Sequence, residues 1–157
     1  MSAIRIIMYP LILVKRTYNK LVDLFLKIYY KAHGVKIGKD TFISPNAYID
    51  KNKSNMVEIG ENCMITMGCK LLCHSDAKMG GLRKIWTGER EYGKVIIGNN
   101  VFMGVDTVVL PGVTIGNNVI IGAKSLINKD IPSNSIVFGI PAKVIKKFDI
   151  KSMRKEK

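Results

Sequence analysis

An all-β solenoid, a parallel β-helix behind a short N-terminal α-helical segment, is the fold class this sequence predicts. Three observations carry the prediction. From Ile97 to Leu126 the chain repeats every six residues. The first place of each six is Ile97, Met103, Val109, Ile115 or Ile121, the second is Gly in four of the five, and the fifth is Val, Thr or Ser. The same period runs upstream through Ile37, Ile43 and Ile49, and again through Ile59, Ile65 and Leu71. A period of six fits neither the 3.6 of a helix nor the 2 of a half-buried strand. It fits a chain that turns a corner every six residues and stacks its aliphatic residues on those of the next coil, about three sixes to a rung.

Residues 1–34 differ from the rest. An apolar opening (Ile4 to Val14, broken by Pro10) leads into Leu21, Val22, Leu24, Phe25, Ile28 and Tyr29 at helical spacing, with Lys20, Lys27 and Lys31 on another side. This predicts one or two amphipathic helices ending near Gly34. The apolar run is too short and interrupted to span a bilayer, and no small-residue cleavage site follows it. Such a segment either caps the open end of the solenoid or lays a basic amphipathic face on an anionic membrane, and both roles are compatible.

The coil begins at Val35 and is expected to run to 145. It is interrupted twice. After Ile49 the phase slips, so Lys51 to Met56 should bulge as a polar loop. From Leu71 to Ile97 the spacing is 26 residues, two more than four sixes. The interruption, 73–94, holds His74 and the single Trp of the chain, Trp86. Loops ejected from a rigid frame are where sites concentrate. After Ile131 the period closes on prolines, and a basic tail is expected over 146–157.

At 157 residues this is one domain by size, and 47% hydrophobic content supplies a stacked core. The formal charge of +13 suits an anionic partner: a phosphate-bearing cofactor, a charged polysaccharide, a membrane surface or nucleic acid. No nucleic-acid-binding motif accompanies it, so no nucleic-acid partner is expected. Cys63, Cys69 and Cys73 are odd in number, which argues against a disulfide framework and for a reducing compartment. A cytoplasmic location follows, with the inner face of the membrane as an option. Cys63 and Cys69 take the fifth place of successive sixes and read as packing residues.

The coil pattern, the His in the long loop, the run Gly122-Ala123-Lys124-Ser125 and the closing Gly139-Ile140-Pro141-Ala142-Lys143-Val144-Ile145 together resemble the hexapeptide-repeat acyltransferases, in their sugar and polysaccharide O-acetyltransferase branch. The resemblance covers roughly Val35 to Lys147. It implies a left-handed β-helix, an exception to the right-handed crossover rule. It also implies a homotrimer, acetyl-CoA as cosubstrate, no metal, and a sugar or polysaccharide hydroxyl as acceptor. A zinc site of the carbonic anhydrases that share the fold needs three His, and this chain has only His33 and His74.

The resemblance places the catalytic base at His74. Imidazole titrates near neutrality and suits proton removal from an attacking hydroxyl. Asp76, two residues on, is expected either to orient that ring or to bind a sugar hydroxyl. Asn46, with neighbouring Tyr48, is expected on the acceptor side. Trp86 either stacks on a pyranose ring or plugs the loop against a neighbouring subunit. For the cosubstrate, the resemblance points to Gly104, Val105, Gly122 and Ala123, where small residues admit pantetheine close to the backbone. It adds Asn128 and Lys129 nearer the adenine and phosphates, and Lys143 and Lys146 near the 3′-phosphate. Two rival readings stand beside this one: an acetyltransferase for serine, an amino sugar or an antibiotic, and a non-catalytic β-helix scaffold.

Overall fold

The computed structural model describes residues 3–77 and 90–149; for residues 3–16 and 19 it describes the backbone alone. A single helix, α1 (Ala3–Ala32), precedes the coil. It ends at Gly34, whose positive φ of 82° is a conformation glycine adopts without a Cβ penalty. Tyr30 turns into the open end of the coil, is buried, and donates its hydroxyl to the Ala47 carbonyl at 3.3 Å.

The rungs then stack. The first is β1 (Lys36–Ile37), β2 (Phe42–Ile43) and β3 (Tyr48–Ile49); the second is β4 (Val57–Ile59), β5 (Met64–Ile65) and β6 (Lys70–Leu71). A hairpin, β7 (His74–Ser75) with β8 (Glu91–Tyr92), stands outside the coil. The third rung is β9 (Val95–Ile97), β10 (Val101–Met103) and β11 (Val108–Val109); the fourth is β12 (Thr114–Ile115), β13 (Val119–Ile121) and β14 (Leu126–Ile127). β15 (Ser135–Gly139) opens a fifth and β16 (Ala142–Lys147) folds back antiparallel upon it. β16 thus carries Lys146 and Lys147 in ordered strand, past the boundary at 145 expected from the sequence.

The strands form three sheets, the walls of a prism. Wall one is β1-β4-β9-β12, wall two runs from β2 through β5, β10, β13 and β15 to β16, and wall three is β3-β6-β11-β14. All pairings between rungs are parallel. The first residue of each six points inward, so Ile37, Ile59, Ile97 and Ile115 stack in wall one, Ile43, Ile65, Met103 and Ile121 in wall two, and Ile49, Leu71, Val109 and Ile127 in wall three, all buried. The fifth places fill the corners. Cys63 and Cys69 are buried there. The buried hydroxyls of Thr41, Thr107, Ser125 and Ser135 each donate to a corner carbonyl at 2.6–2.8 Å, which removes the cost of burying them.

The corner between walls one and two is stapled by a ladder. Asn62, Asn100, Asn118 and Asn134 share a left-handed backbone conformation (φ 53–60°). Each of the first three donates its side-chain amide to the next Asn oxygen, at 2.8–2.9 Å. Asn tolerates this conformation better than other residues with a Cβ, so the fourth place of these sixes is fixed by backbone geometry as well as by hydrogen bonding.

Candidate active site

Both interruptions of the period fall on one corner, where wall three passes back to wall one. Asp50 leaves β3 into the 51–56 bulge. One rung above, Leu72 and Cys73 leave β6 into β7, which begins with His74. The register Ile49↔Leu71 sets the two departures directly above one another. A residue 24 positions from His74 is thereby its neighbour.

Asp50 is buried and His74 half-buried. The imidazole Nδ1 donates to Asp50 Oδ2 in a short contact. The same oxygen accepts from the Cys73 backbone N–H at 3.1 Å, while Oδ1 accepts from the Asn52 N–H at 3.0 Å. Burial by itself would raise the Asp50 carboxyl; the hydrogen bonds from Asn52, Cys73 and His74 outweigh it and hold the group below its ordinary carboxylate range. Asp50 is therefore an ionised carboxylate that fixes Nδ1 as the protonated nitrogen and leaves Nε2 as the nitrogen able to accept a proton. The Asn52 amide nitrogen lies 3.2 and 3.3 Å from the two ring nitrogens, and the Tyr92 ring centroid lies 6.2 Å from that of His74.

Asp76 takes a different place from the orienting one. Its Oδ2 is 3.7 Å from Nε2, beyond hydrogen-bond reach, and its two oxygens accept from Arg90 at 2.5 and 3.1 Å. The pair ties the two limbs of the loop together where it leaves the coil, and the orienting role expected as one option for Asp76 belongs to Asp50. Sequence reasoning missed Asp50, Asn52 and Arg90. The signal for Asp50 was present: it stands in the second place of the six opened by Ile49, where its counterparts are Gly38, Ser44, Gly60, Thr66 and Leu72. A carboxylate in a place otherwise small or uncharged needs a partner.

Asp50, Cys73 and His74 bring a carboxylate, a thiol and an imidazole within 4.8 Å of one another. Burial and the neighbouring Asp50 charge push the Cys73 thiol up to about 12, and Nδ1 is committed to Asp50. The arrangement is that of a His–Asp pair with a neutral thiol packed behind it.

The other expected residues divide between corners. Gly104, Val105, Gly122 and Ala123 lie on the corner between walls two and three, stacked in successive rungs. A Cβ on Gly104 would sit 2.5 Å from the Ala123 backbone nitrogen, and one on Gly122 would sit 2.7 Å from Phe138 Cβ. The coil itself therefore requires glycine at both, while Val105 and Ala123 are exposed. Lys143 pairs with Phe138 in the last sheet register, at the same end of wall two, and Lys146 pairs with Ile136 farther along; both are exposed. Asn128 and Lys129 leave β14 on the same corner as His74, two rungs above it and about 10 Å along the coil. Asn46 lies on the Gly104 corner and Tyr48 on the outer face of wall three, so the structure does not bring Asn46 to His74. Trp86 lies outside the described residues.

Comparison with known proteins agrees with this architecture. The family profile described as bacterial transferase hexapeptide (six repeats) matches residues 94–129, and that described as hexapeptide repeat of succinyl-transferase matches residues 34–73. The chain is 40% identical to protein CapG of Staphylococcus aureus over 117 residues, 74% of this chain and 67% of that one. Among solved structures, a galactoside acetyltransferase in complex with coenzyme A superposes with TM-score 0.67 at 35% identity, covering 76% of this chain and 58% of that chain. A hexapeptide-repeat containing acetyltransferase from Vibrio cholerae, complexed with acetyl coenzyme A, gives TM-score 0.65 at 27% identity, covering 74% and 61%. The chain belongs to the hexapeptide-repeat acyltransferases and has their left-handed parallel β-helix. It spans about three fifths to two thirds of the length of these relatives.

Proposed function

We propose that this chain transfers an acetyl group from acetyl-CoA to a hydroxyl of a sugar, in a cell-surface polysaccharide or its precursor, with His74 as general base. The observation that carries the reading is the Asp50–His74 pair at the interrupted corner. It leaves Nε2 as the acceptor nitrogen, with the Asn52 amide nitrogen at 3.3 Å and Asp76 Oδ2 at 3.7 Å. The acceptor oxygen attacks the thioester carbonyl as Nε2 takes its proton. The C–S bond then breaks, and the imidazolium returns that proton to the departing thiolate. Ionised Asp50 stabilises the imidazolium while it exists. The coenzyme A and galactoside relatives support the donor and the acceptor class.

The division between corners supports a homotrimeric assembly. His74 stands on one edge of the prism, and the small-residue track of Val105 and Ala123, with Lys143 at its end, stands on another. A homotrimer in which the His74 corner of one copy faces the Ala123 corner of the next unites base and thioester. The outer face of wall two, where Phe42, Met64, Phe102 and Ile120 lie in register and half exposed, offers apolar surface for that packing.

The test is release of coenzyme A thiol in the presence of a panel of galactosides and oligosaccharides. His74→Ala is expected to lower kcat by about 10²–10⁴-fold while acetyl-CoA binding is kept. A folded His74→Ala protein with near-normal turnover would overturn the assignment. No thiol release with any acceptor, together with no coenzyme A binding, would return the chain to the scaffold reading.

A further inference from the structure

The second half of α1 has two apolar sides, and only one is used. Leu26 and Tyr30 face the open end of the coil and pack there. On the opposite side, Tyr18, Leu21, Leu24, Phe25 and Ile28 are exposed, Tyr18 by 65% and Phe25 by 68%. At 100° per residue these five span an arc of about 120°, too broad for chance exposure of single residues. Lys20 and Lys31 are exposed on one flank of this arc, and Lys27, paired with Asp23 at 2.6 Å, stands beside them. Tyr29 closes the other flank, with Lys51 over its ring at 4.2 Å. Over Ala3–Ala32 the sequence carries six Lys and Arg against Asp23 alone.

We infer that this face of α1 lies in the surface of an anionic phospholipid bilayer, with the Leu21–Phe25–Ile28 stripe in the acyl boundary and the lysines among the headgroups. Charge decides between the two occupants an apolar helix face admits. A second copy of α1 would bring together two helices of like positive charge, and the positions flanking the stripe (Val22, Leu24, Tyr29, Lys31) offer no acidic partner to offset it. Anionic headgroups neutralise the same charge, and tyrosines at the border of an apolar face suit the interface. No helix among the described residues is long and apolar enough to cross a membrane, so the helix lies in the plane of the surface. The inference rests on α1 and is independent of the proposed chemistry.

The full chain carrying Phe25→Cys, labelled with an environment-sensitive fluorophore, tests it. The three native thiols are buried, so the label goes to position 25. With vesicles of phosphatidylcholine and phosphatidylglycerol the emission is expected to shift to the blue and the protein to float with the vesicles. Phosphatidylcholine alone should do neither. Leu21→Ser with Ile28→Ser, and separately Lys20→Glu with Lys31→Glu, should each weaken flotation at least about tenfold. Three results overturn the inference: absence of flotation; flotation that both double variants retain and that truncation of the basic tail abolishes; or a label already blue-shifted without vesicles and unchanged by them, which assigns the face to a second copy.

Discussion

Replacing Asp50 by Asn separates the two duties of the carboxylate. The side chain is almost isosteric, so the corner keeps its shape, but only one of its two terminal atoms accepts. Asp50 Oδ2 receives the His74 Nδ1–H and the Cys73 N–H, and Oδ1 receives the Asn52 N–H. If the Asn oxygen takes the Oδ2 position, the ring keeps its tautomer and the Asn52 N–H is left facing an NH2 group. If the amide is flipped, the Cys73 N–H is left instead and Nδ1 must give up its proton. Either way one donor at a buried corner loses its acceptor, at a cost of about 1–3 kcal/mol in stability. Catalytically the imidazolium loses its counter-charge, and kcat should fall by roughly 10²–10⁴-fold. The assay is coenzyme A thiol release across pH, with urea unfolding in parallel. The stability difference has its own signature. The folded carboxyl is held below its ordinary range, so its contribution is present above that range and is lost as pH falls through the folded value. The gap between wild type and Asp50→Asn should therefore narrow in acid. A folded Asp50→Asn protein with kcat within about threefold of wild type would refute the pair as a catalytic unit.

Asp76→Asn should lower kcat by less than about tenfold, since Asp76 pairs with Arg90 and not with the imidazole; a loss as large as that of Asp50→Asn would reverse the two roles. Asn118→Gly keeps the left-handed backbone and removes two ladder hydrogen bonds, for a loss of about 1–2 kcal/mol, whereas Asn118→Ala adds about 1–2 kcal/mol of backbone strain; equal urea midpoints for the two would remove the conformational part of the argument. Burial raises all three cysteine thiols, Cys73 to about 12, so the folded protein should resist a thiol reagent at neutral pH and react fully once unfolded, as read by mass spectrometry.

The frame was legible residue by residue. Ile97, Met103, Val109, Ile115 and Ile121 sit inward because a six-residue period returns the first place of each six to the interior, and no distant contact is needed to know it. The fifth-place cysteines were legible as packing residues for the same reason, and His74 was conspicuous because it stands where the rhythm fails. The partner of His74 was not legible. Asp50 lies beyond a phase slip whose length hides how many rungs separate the two residues, and charge alone favoured the nearer Asp76. Gly104 and Gly122 show the converse. Sequence and resemblance marked them for a ligand, and the structure adds a sufficient reason in the coil: the next rung, the Ala123 backbone for Gly104 and the Phe138 side chain for Gly122, lies at a distance that admits no Cβ.

The sequence by itself determined the solenoid, its inward residues and the two places where it is interrupted, because a short exact period is a local property read along the chain. Tertiary structure decided what the interruptions share. Stacking in register brings both to one corner and sets the Asp50 carboxylate under the imidazole of His74. It also places the small-residue track of Val105 and Ala123 on a different edge from that pair. Which residues meet across rungs depends on how many residues each corner ejects, and that number is fixed only when the coil closes on itself.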